Sequence, residues 1–151
     1  MKKSLFFLLF AGVFFLAVLP ADAQFRRIPG VVTDSFKVKY PDAKSVTWED
    51  GITAFKASFT LNNEKYISKY SSKGEWLSSE KKIPFEVVPT SVKDGLSKSK
   101  YTGEWKTGAV TVRYLPADLI QYNIQVYKGD LQRKNLLFNS DGQLLKDNTT
   151  L

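Results

Sequence analysis

Residues 55–77 read FKASFTLNNEKYISKYSSKGEWL, and this stretch decides the class of fold. Its first seven residues alternate apolar and polar side chains, and a period of two is typical of a strand with one buried face. Asn62-Asn63 and Lys73-Gly74 have the composition of tight turns. The stretch therefore predicts antiparallel strands joined by hairpins, because parallel strands need crossovers of about a dozen residues.

A second stretch repeats this pattern further along the chain. Residues 122–145 read YNIQVYKGDLQRKNLLFNSDGQLL, again with alternating apolar residues and glycine turns. The turn at Gly142 follows the turn at Gly74 by 68 residues, and glycine suits both because such turns need a positive φ. Before residue 122 we expect a longer opening hairpin than in the first copy. Aligning Trp48 with Trp105 instead remains a second possibility.

Each meander is preceded by a short helical pattern. Apolar residues recur every four positions after a proline, which is typical of one helical stripe. The two sets are Ile28-Pro29, Val32 and Phe36, and then Val88-Pro89, Val92 and Leu96. Pro41 predicts that the first helix ends by Tyr40, since the residue before a proline is pushed out of the α region. Gly95 is expected to weaken the second helix by about 1 kcal/mol relative to alanine.

These patterns predict an α+β fold of two tandem repeats. Each repeat has one helix followed by a roughly four-stranded antiparallel meander, with the helices on one sheet face. Residues 24–86 form the first predicted repeat and residues 87–151 the second. If the two sheets pair edge to edge, their uncovered faces merge into one broad surface. Edge strands can also pair between molecules, so both a monomer and a dimer stay open.

The N-terminus has the pattern of a secretory signal peptide. A lysine pair is followed by an almost unbroken apolar run over residues 5–19 and by Ala21-Asp22-Ala23, an A-x-A cleavage motif. We expect residues 1–23 to be removed by cleavage between Ala23 and Gln24. The mature chain would then be periplasmic or secreted, without a membrane span.

The composition argues against catalysis. The 151 residues include no histidine and no cysteine, which removes the commonest general base, the thiol nucleophile and the commonest metal ligands. Three S-x-x-K spacings occur, but the other elements of the penicillin-binding enzymes do not; they are Ser78/Lys81, Ser79/Lys82 and Ser97/Lys100. Asn139-x-Asp141-Gly142 begins like a calcium loop but reads better as a turn. We therefore expect no enzyme, no cofactor and no metal site.

Basic residues occupy polar positions of the predicted strands, and several could share the uncovered sheet face. They are Lys56, Lys65, Lys69, Arg113 and Arg133. Aromatic residues nearby are candidate anchors, because Trp and Tyr dominate protein interfaces. They are Trp48, Trp105, Tyr114 and Tyr127. These nine residues form the candidate partner-binding set, although a merely solvated face would explain the charges as well.

The ordered set of motifs resembles the PepSY-like family of periplasmic proteins, whose fold is likened to the beta-lactamase inhibitor protein. The motifs are Ile28-Pro29, Phe36, Tyr40-Pro41, Val46-Thr-Trp48, Ala57-x-Phe59, Tyr70-x-x-x-Gly74-x-Trp76, Val88-Pro89, Tyr101-x-Gly103, and Tyr122 through Gly142-Gln-Leu144. The resemblance implies two tandem helix-plus-sheet repeats outside the cytoplasm. Related PepSY modules are associated with restraining peptidases, and the inhibitor grips its enzyme with a concave sheet. Inhibition comes to this chain only by analogy, since fold does not fix function.

The function predicted from the sequence is therefore a non-enzymatic exported binding module, inhibitor-like, whose open sheet face binds an envelope or secreted protein. The alternative is a binder of an anionic envelope ligand such as a glycan or a lipid head group, because the chain carries a net charge of +7. Nucleic acid is not an expected partner, because the protein is predicted to be exported.

Overall fold

A computed structural model describes residues 27–149. The predicted signal peptide and its cleavage site lie outside these residues. The N-terminal half contains α1 (Gly30–Lys39), β1 (Lys44–Asp50), β2 (Phe55–Leu61), β3 (Glu64–Tyr70) and β4 (Trp76–Ile83). A short 3-10 turn (Phe85–Val87) leads into the C-terminal half, which contains α2 (Thr90–Ser97), β5 (Lys106–Tyr114), β6 (Ile120–Lys128), β7 (Gln132–Asn139) and β8 (Leu144–Thr149).

The eight strands form one antiparallel sheet whose spatial order is the chain order. The two halves join through β4 and β5, where Glu80 pairs with Arg113 and Ile83 with Val110. The α+β class expected from the sequence is confirmed, and the joined sheet is the edge-to-edge arrangement considered there. None of the helices in the described part of the chain is long and apolar enough to cross a membrane.

Both helices pack on the same face of the sheet and bury one apolar cluster each. In the N-terminal half Val32 and Phe36 of α1 lie against Phe55 and Phe59 of β2 and against Tyr70. The cluster of the C-terminal half combines α2 with alternate residues of β5, β6 and β7: Val88, Val92, Leu96, Tyr101, Val110, Val112, Tyr122, Ile124, Val126, Leu136 and Phe138. Helix α1 ends at Lys39, as Pro41 predicts.

Gly95 has a role that the sequence did not reveal. A Cβ atom on Gly95 would lie 1.9 Å from the carbonyl oxygen of Gly142, and a Cβ on Gly142 would lie 2.0 Å from the carbonyl oxygen of Ser91. Helix α2 and the β7–β8 turn therefore approach each other backbone to backbone, which only glycine allows. The glycine that weakens the isolated helix makes this packing possible.

Two other local features bear on the sequence-based expectations. The opening hairpin of the C-terminal half has its turn at Ala117 and Asp118, both with positive φ, and a register shift between Thr107 and Val110 that includes Gly108. The sequence pattern indicates strand β4 only up to Leu77. In the structure it extends from Trp76 to Ile83, and its C-terminal part pairs with β5.

Candidate binding face and groove

Within residues 27–149, α1 and α2 lie on one face of the sheet and no described element covers the other, which we call the open face. Side chains alternate between the two faces of a strand, and cross-strand partners share a face, so the register assigns each residue. Ala57 pairs with Ser68 on the helix face, whereas Lys56 pairs with Lys69 on the open face. In the N-terminal half the open face carries Thr47, Glu49, Lys56, Ser58, Thr60, Lys65, Ile67, Lys69, Ser78, Glu80 and Lys82.

The open face of the C-terminal half has a different chemistry. It is rich in side-chain amides and carries Thr111, Arg113, Gln121, Asn123, Gln125, Tyr127, Arg133, Asn135, Leu137, Asn139, Lys146 and Asn148. Tyr127 stands opposite Arg133 on β7 and Lys106 on β5. The five basic residues predicted for a shared surface thus all lie on the open face, but they are spread over both halves.

Only some of the cations on this face are neutralised. Lys56 forms an ion pair with Glu49 at 2.5 Å, and Arg113 forms one with Glu80 at 3.2 Å. Among residues 27–149, Lys65, Lys69 and Lys82 form no ion pair. The N-terminal half of the open face therefore presents three lysines without an ion pair, whereas Lys56, Glu49 and Glu80 are each paired.

A groove of about 720 Å³ lies on the N-terminal half of the open face. Most of its lining belongs to that face: Thr47, Ser58, Thr60, Lys65, Ile67, Glu80, Lys82 and Thr111. Ile67 is half-buried, and hydroxyl groups surround it. The lining also includes Phe59, Tyr66 and Lys81 of the helix face, where Lys81 donates a hydrogen bond to Glu64 at 2.6 Å that raises the pKa of Lys81 to about 12. The groove could hold a short peptide segment or one or two sugar residues.

The aromatic members of the predicted set are not together. Trp48 packs edge-on against Phe36 with ring centroids 5.4 Å apart, and Trp105 packs in the same way against Tyr101 at 5.1 Å. Both therefore complete the helix-side clusters. Tyr114 also lies on the helix face, opposite Ser79, and burial raises its pKa. Only Tyr127 lies on the open face.

The structure separates the two S-x-x-K pairs of β4 and gives Asn139 a role in a turn. Ser78 and Lys81 lie on opposite faces of β4, as do Ser79 and Lys82, so neither pair can act together. Asn139 organises the β7–β8 turn, since its side-chain oxygen accepts a hydrogen bond from the backbone N–H of Gln143 at 2.8 Å.

Ile67 and Lys82 are groove residues that sequence reasoning missed. Ile67 alternates with Lys65 and Lys69 in KYISK, so the period-two pattern could have placed it between them. Lys82 had no such signal, because β4 carries Ser79 and Lys81 on its helix face and therefore lacks the apolar alternation of a half-buried strand.

A sequence model of the PepSY-like, beta-lactamase-inhibitor-like family matches residues 53–146. The chain belongs to this PepSY-like family. The match begins just before β2 and ends within β8, so it includes the groove-lining strands β2, β3 and β4. The comparison with curated proteins gives no match.

Solved structures with the same fold come from Bacteroides species. A protein of B. eggerthii described as periplasmic is 22% identical with a TM-score of 0.72, over 80% of this chain and 88% of that one. A DUF2874 family protein of B. uniformis is 20% identical with a TM-score of 0.74, over 80% and 88%. A BLIP-like protein of B. fragilis is 20% identical with a TM-score of 0.71, over 81% and 86%. At this identity the likeness of the PepSY-like chain to them shows the fold alone.

Proposed function

We propose that this PepSY-like chain is a non-enzymatic exported binding module, inhibitor-like, that binds an envelope or secreted protein through its open face. Residues 24–86 and 87–151 would act as tandem repeats that each contribute four strands to that face, after removal of the signal peptide. The observation that carries the proposal is the one-sided covering of the sheet. Both helices lie on one face, and on the other Ile67, Leu137 and Tyr127 stay only half-buried among polar neighbours.

The character of the open face supports a protein partner. Apolar and aromatic side chains at the centre of a surface and polar ones around it are typical of protein interfaces. A structure described as BLIP-like and the family description both point to inhibitor-like binding by analogy. Reaction chemistry has no comparable support, because the S-x-x-K residues of β4 point to opposite faces.

Binding of an anionic envelope ligand is the second candidate, and the unpaired Lys65, Lys69 and Lys82 favour it. Against it, Glu49 and Glu80 lie on the same face and interrupt the positive field. Salt separates the two candidates, because surface electrostatics are screened over about 8–10 Å at ordinary ionic strength. A polyanion should be released by high salt, whereas a protein anchored by apolar and aromatic contacts should be retained.

Capture from envelope extract of the source cells, with immobilised residues 24–151 and washes at low and high salt, tests the proposal. The matched variants are Tyr127→Ala on the open face and Tyr114→Ala on the helix face, both half-buried tyrosines on strands. We expect one protein to be retained at high salt by the wild type and by Tyr114→Ala, and lost or weakened with Tyr127→Ala. Recovery of only salt-labile polyanions, or loss with Tyr114→Ala alone, would contradict the open face as the protein-binding surface.

A further inference from the structure

Strand β3 presents a regular pattern on the open face, with Lys65 and Ile67 in the groove lining and Lys69 next along the same face. Lys65, Ile67 and Lys69 follow one another on the open face, so adjacent members are roughly 7 Å apart and the two lysines roughly 13 Å apart. A cation, an apolar side chain and a second cation thus stand in a line along one strand. This spacing equals the spacing of alternate side chains in an extended peptide.

Two of the groove lysines stand beside each other. Tyr66 pairs with Lys81 across β3 and β4, and the neighbouring residues Lys65 and Lys82 both turn to the open face and line the groove. Lys56 and Lys69 are likewise directly opposite across β2 and β3. Like charges facing each other on a sheet are destabilising. Glu49 relieves the second pair, but no described carboxylate relieves the first.

The groove is not suited to a polyanion along its whole length. Its middle contains Ile67 and the Glu80 side chain, whose carboxylate is already paired with Arg113 at 3.2 Å. A chain with an anionic group at every unit would place negative charge against Glu80 and against the apolar side chain. An occupant with separated carboxylates and an apolar residue between them avoids both conflicts.

We propose that the groove binds an extended, acidic segment of the partner protein with the pattern acidic-x-apolar-x-acidic. This proposal rests on the proposed protein-binding function and names its ligand chemistry. The first carboxylate lies between the ammonium groups of Lys65 and Lys82, and the second pairs with Lys69. The apolar side chain covers Ile67. The repulsion between Lys65 and Lys82 is relieved by binding.

Peptide titration tests the proposal without knowledge of the partner. The probe is an acetylated and amidated Ser-Glu-Ser-Leu-Ser-Glu-Ser peptide, added to isotope-labelled residues 24–151 and followed by the backbone amide NMR signals. We expect shifts confined to the groove-lining parts of β1 to β5, with the largest in β3. Replacing both glutamates by glutamine should weaken binding about tenfold, since charge-assisted hydrogen bonds are lost. Replacing the leucine by serine should weaken it several-fold.

Variants of the protein supply the matched control. Lys65→Ala and Lys82→Ala should each raise the dissociation constant of the probe about tenfold. Lys98→Ala removes the same charge from the exposed end of α2 and should leave the constant within about twofold. The melting temperature of the two groove variants should stay equal to or above that of the wild type, because a repulsion is removed.

Several results would overturn the groove proposal. If Lys98→Ala weakens binding of the probe as much as the groove variants do, the effect of those variants comes from net charge alone. If the peptide with serine in place of leucine binds as tightly as the probe, Ile67 has no role in binding. Tighter binding of a short polyphosphate at the same amides would assign the groove to a polyanion. The protein captured from envelope extract separates the groove proposal from the proposed function. If a Lys65→Ala/Lys82→Ala variant retains this protein fully, the groove proposal is wrong but the protein-binding function stands.

Discussion

In the N-terminal half, helix α1 packs on aromatic rings with hydroxyl groups between them, whereas in the C-terminal half α2 packs mainly on aliphatic side chains. The strand registers show which residues of the two halves correspond. Tyr70 pairs with Trp76 beside a register shift, and Phe138 pairs with Leu144 beside the corresponding shift. Ser68 and Ser79 pair in the first half, and Leu136 and Asp147 pair at the corresponding place in the second.

The two cores are therefore held together by different interactions. The cluster of the C-terminal half is mainly aliphatic, its Tyr101 hydroxyl donates a hydrogen bond to the exposed Asp147, and its helix lies in backbone contact with the β7–β8 turn. In the N-terminal half the approach of helix and turn is less close, since a Cβ on Gly74 would lie 2.7 Å from the Val31 carbonyl oxygen, and the core contains a polar cluster of Tyr40, Ser68, Trp76 and Ser79. The half with this polar core also carries the groove on its open face.

The closest helix contact gives the largest expected effect. Gly142→Ala introduces a Cβ 2.0 Å from the Ser91 carbonyl oxygen at a φ of +85° and should lower the free energy of unfolding by about 3 kcal/mol or more. Gly74→Ala, whose Cβ meets the Val31 carbonyl oxygen at 2.7 Å, should cost about 2 kcal/mol. Chemical denaturation measures both.

Gly129→Ala is the control for backbone conformation. Gly129 has a φ of +59°, but a Cβ atom at this position would meet no heavy atom within 4 Å, so only the cost of the left-handed conformation, about 1 kcal/mol, is expected. An equal loss of stability in Gly142→Ala and Gly129→Ala would mean that the close packing of α2 on the turn adds no cost to that of the backbone conformation, and an equal loss in Gly142→Ala and Gly74→Ala would remove the difference between the halves.

The sequence could predict the open-face positions of Lys56, Lys65 and Lys69, because β2 and β3 alternate regularly and share a tight hairpin at Asn62-Asn63. It could not predict the groove, because β4 has polar residues on both faces and its pairing with β5 is a long-range contact. The tryptophans were equally ambiguous. An aromatic residue on the edge strand β1, such as Trp48, faces the core only because a helix residue, Phe36, packs against it. Local periodicity in the sequence does not predict this contact.

The polar cluster in the N-terminal core gives the next largest effect. The Ser79 hydroxyl lies 2.6 Å from the Tyr40 hydroxyl and 2.9 Å from the Ser68 hydroxyl, and it accepts a hydrogen bond from Trp76 Nε1 at 2.7 Å. Ser79→Ala leaves the buried Ser68 and the part-buried Tyr40 and Trp76 without their shared partner and should cost about 2 kcal/mol by chemical denaturation.

Asp147 is the matched position for Ser79 in the C-terminal half. Its carboxylate accepts a hydrogen bond from Tyr101, and it is exposed to solvent, where water can replace a lost partner. Asp147→Ala should therefore cost clearly less than Ser79→Ala. An equal or larger loss would contradict the view that the N-terminal core depends more on internal hydrogen bonds.

Alkaline pH should affect the N-terminal core through Tyr70. Burial raises the pKa of Tyr70 to about 12, above its ordinary value of 10.0. The stabilisation of its neutral form is complete below pH 10 and is lost as the pH rises toward 12, because the unfolded chain releases the proton first. Between pH 10 and 12, Tyr70→Phe should make the fall in unfolding free energy shallower by up to about 1 kcal/mol per pH unit. An unchanged slope would contradict the raised pKa.

The smallest effect comes from removing the Tyr70 hydroxyl at neutral pH. This hydroxyl is buried and has no hydrogen-bond partner among the described residues, and Phe138 occupies the corresponding place in the other half. Tyr70→Phe should leave the unfolding free energy unchanged or raise it by up to about 1 kcal/mol, whereas Phe138→Tyr should lower it by about 1–3 kcal/mol. A loss of stability in Tyr70→Phe would mean that the hydroxyl has a partner in solution, such as a buried water shared with the Ser68–Ser79 cluster. The polar core of the N-terminal half would then be fully satisfied, and the two halves would differ in composition but not in strain.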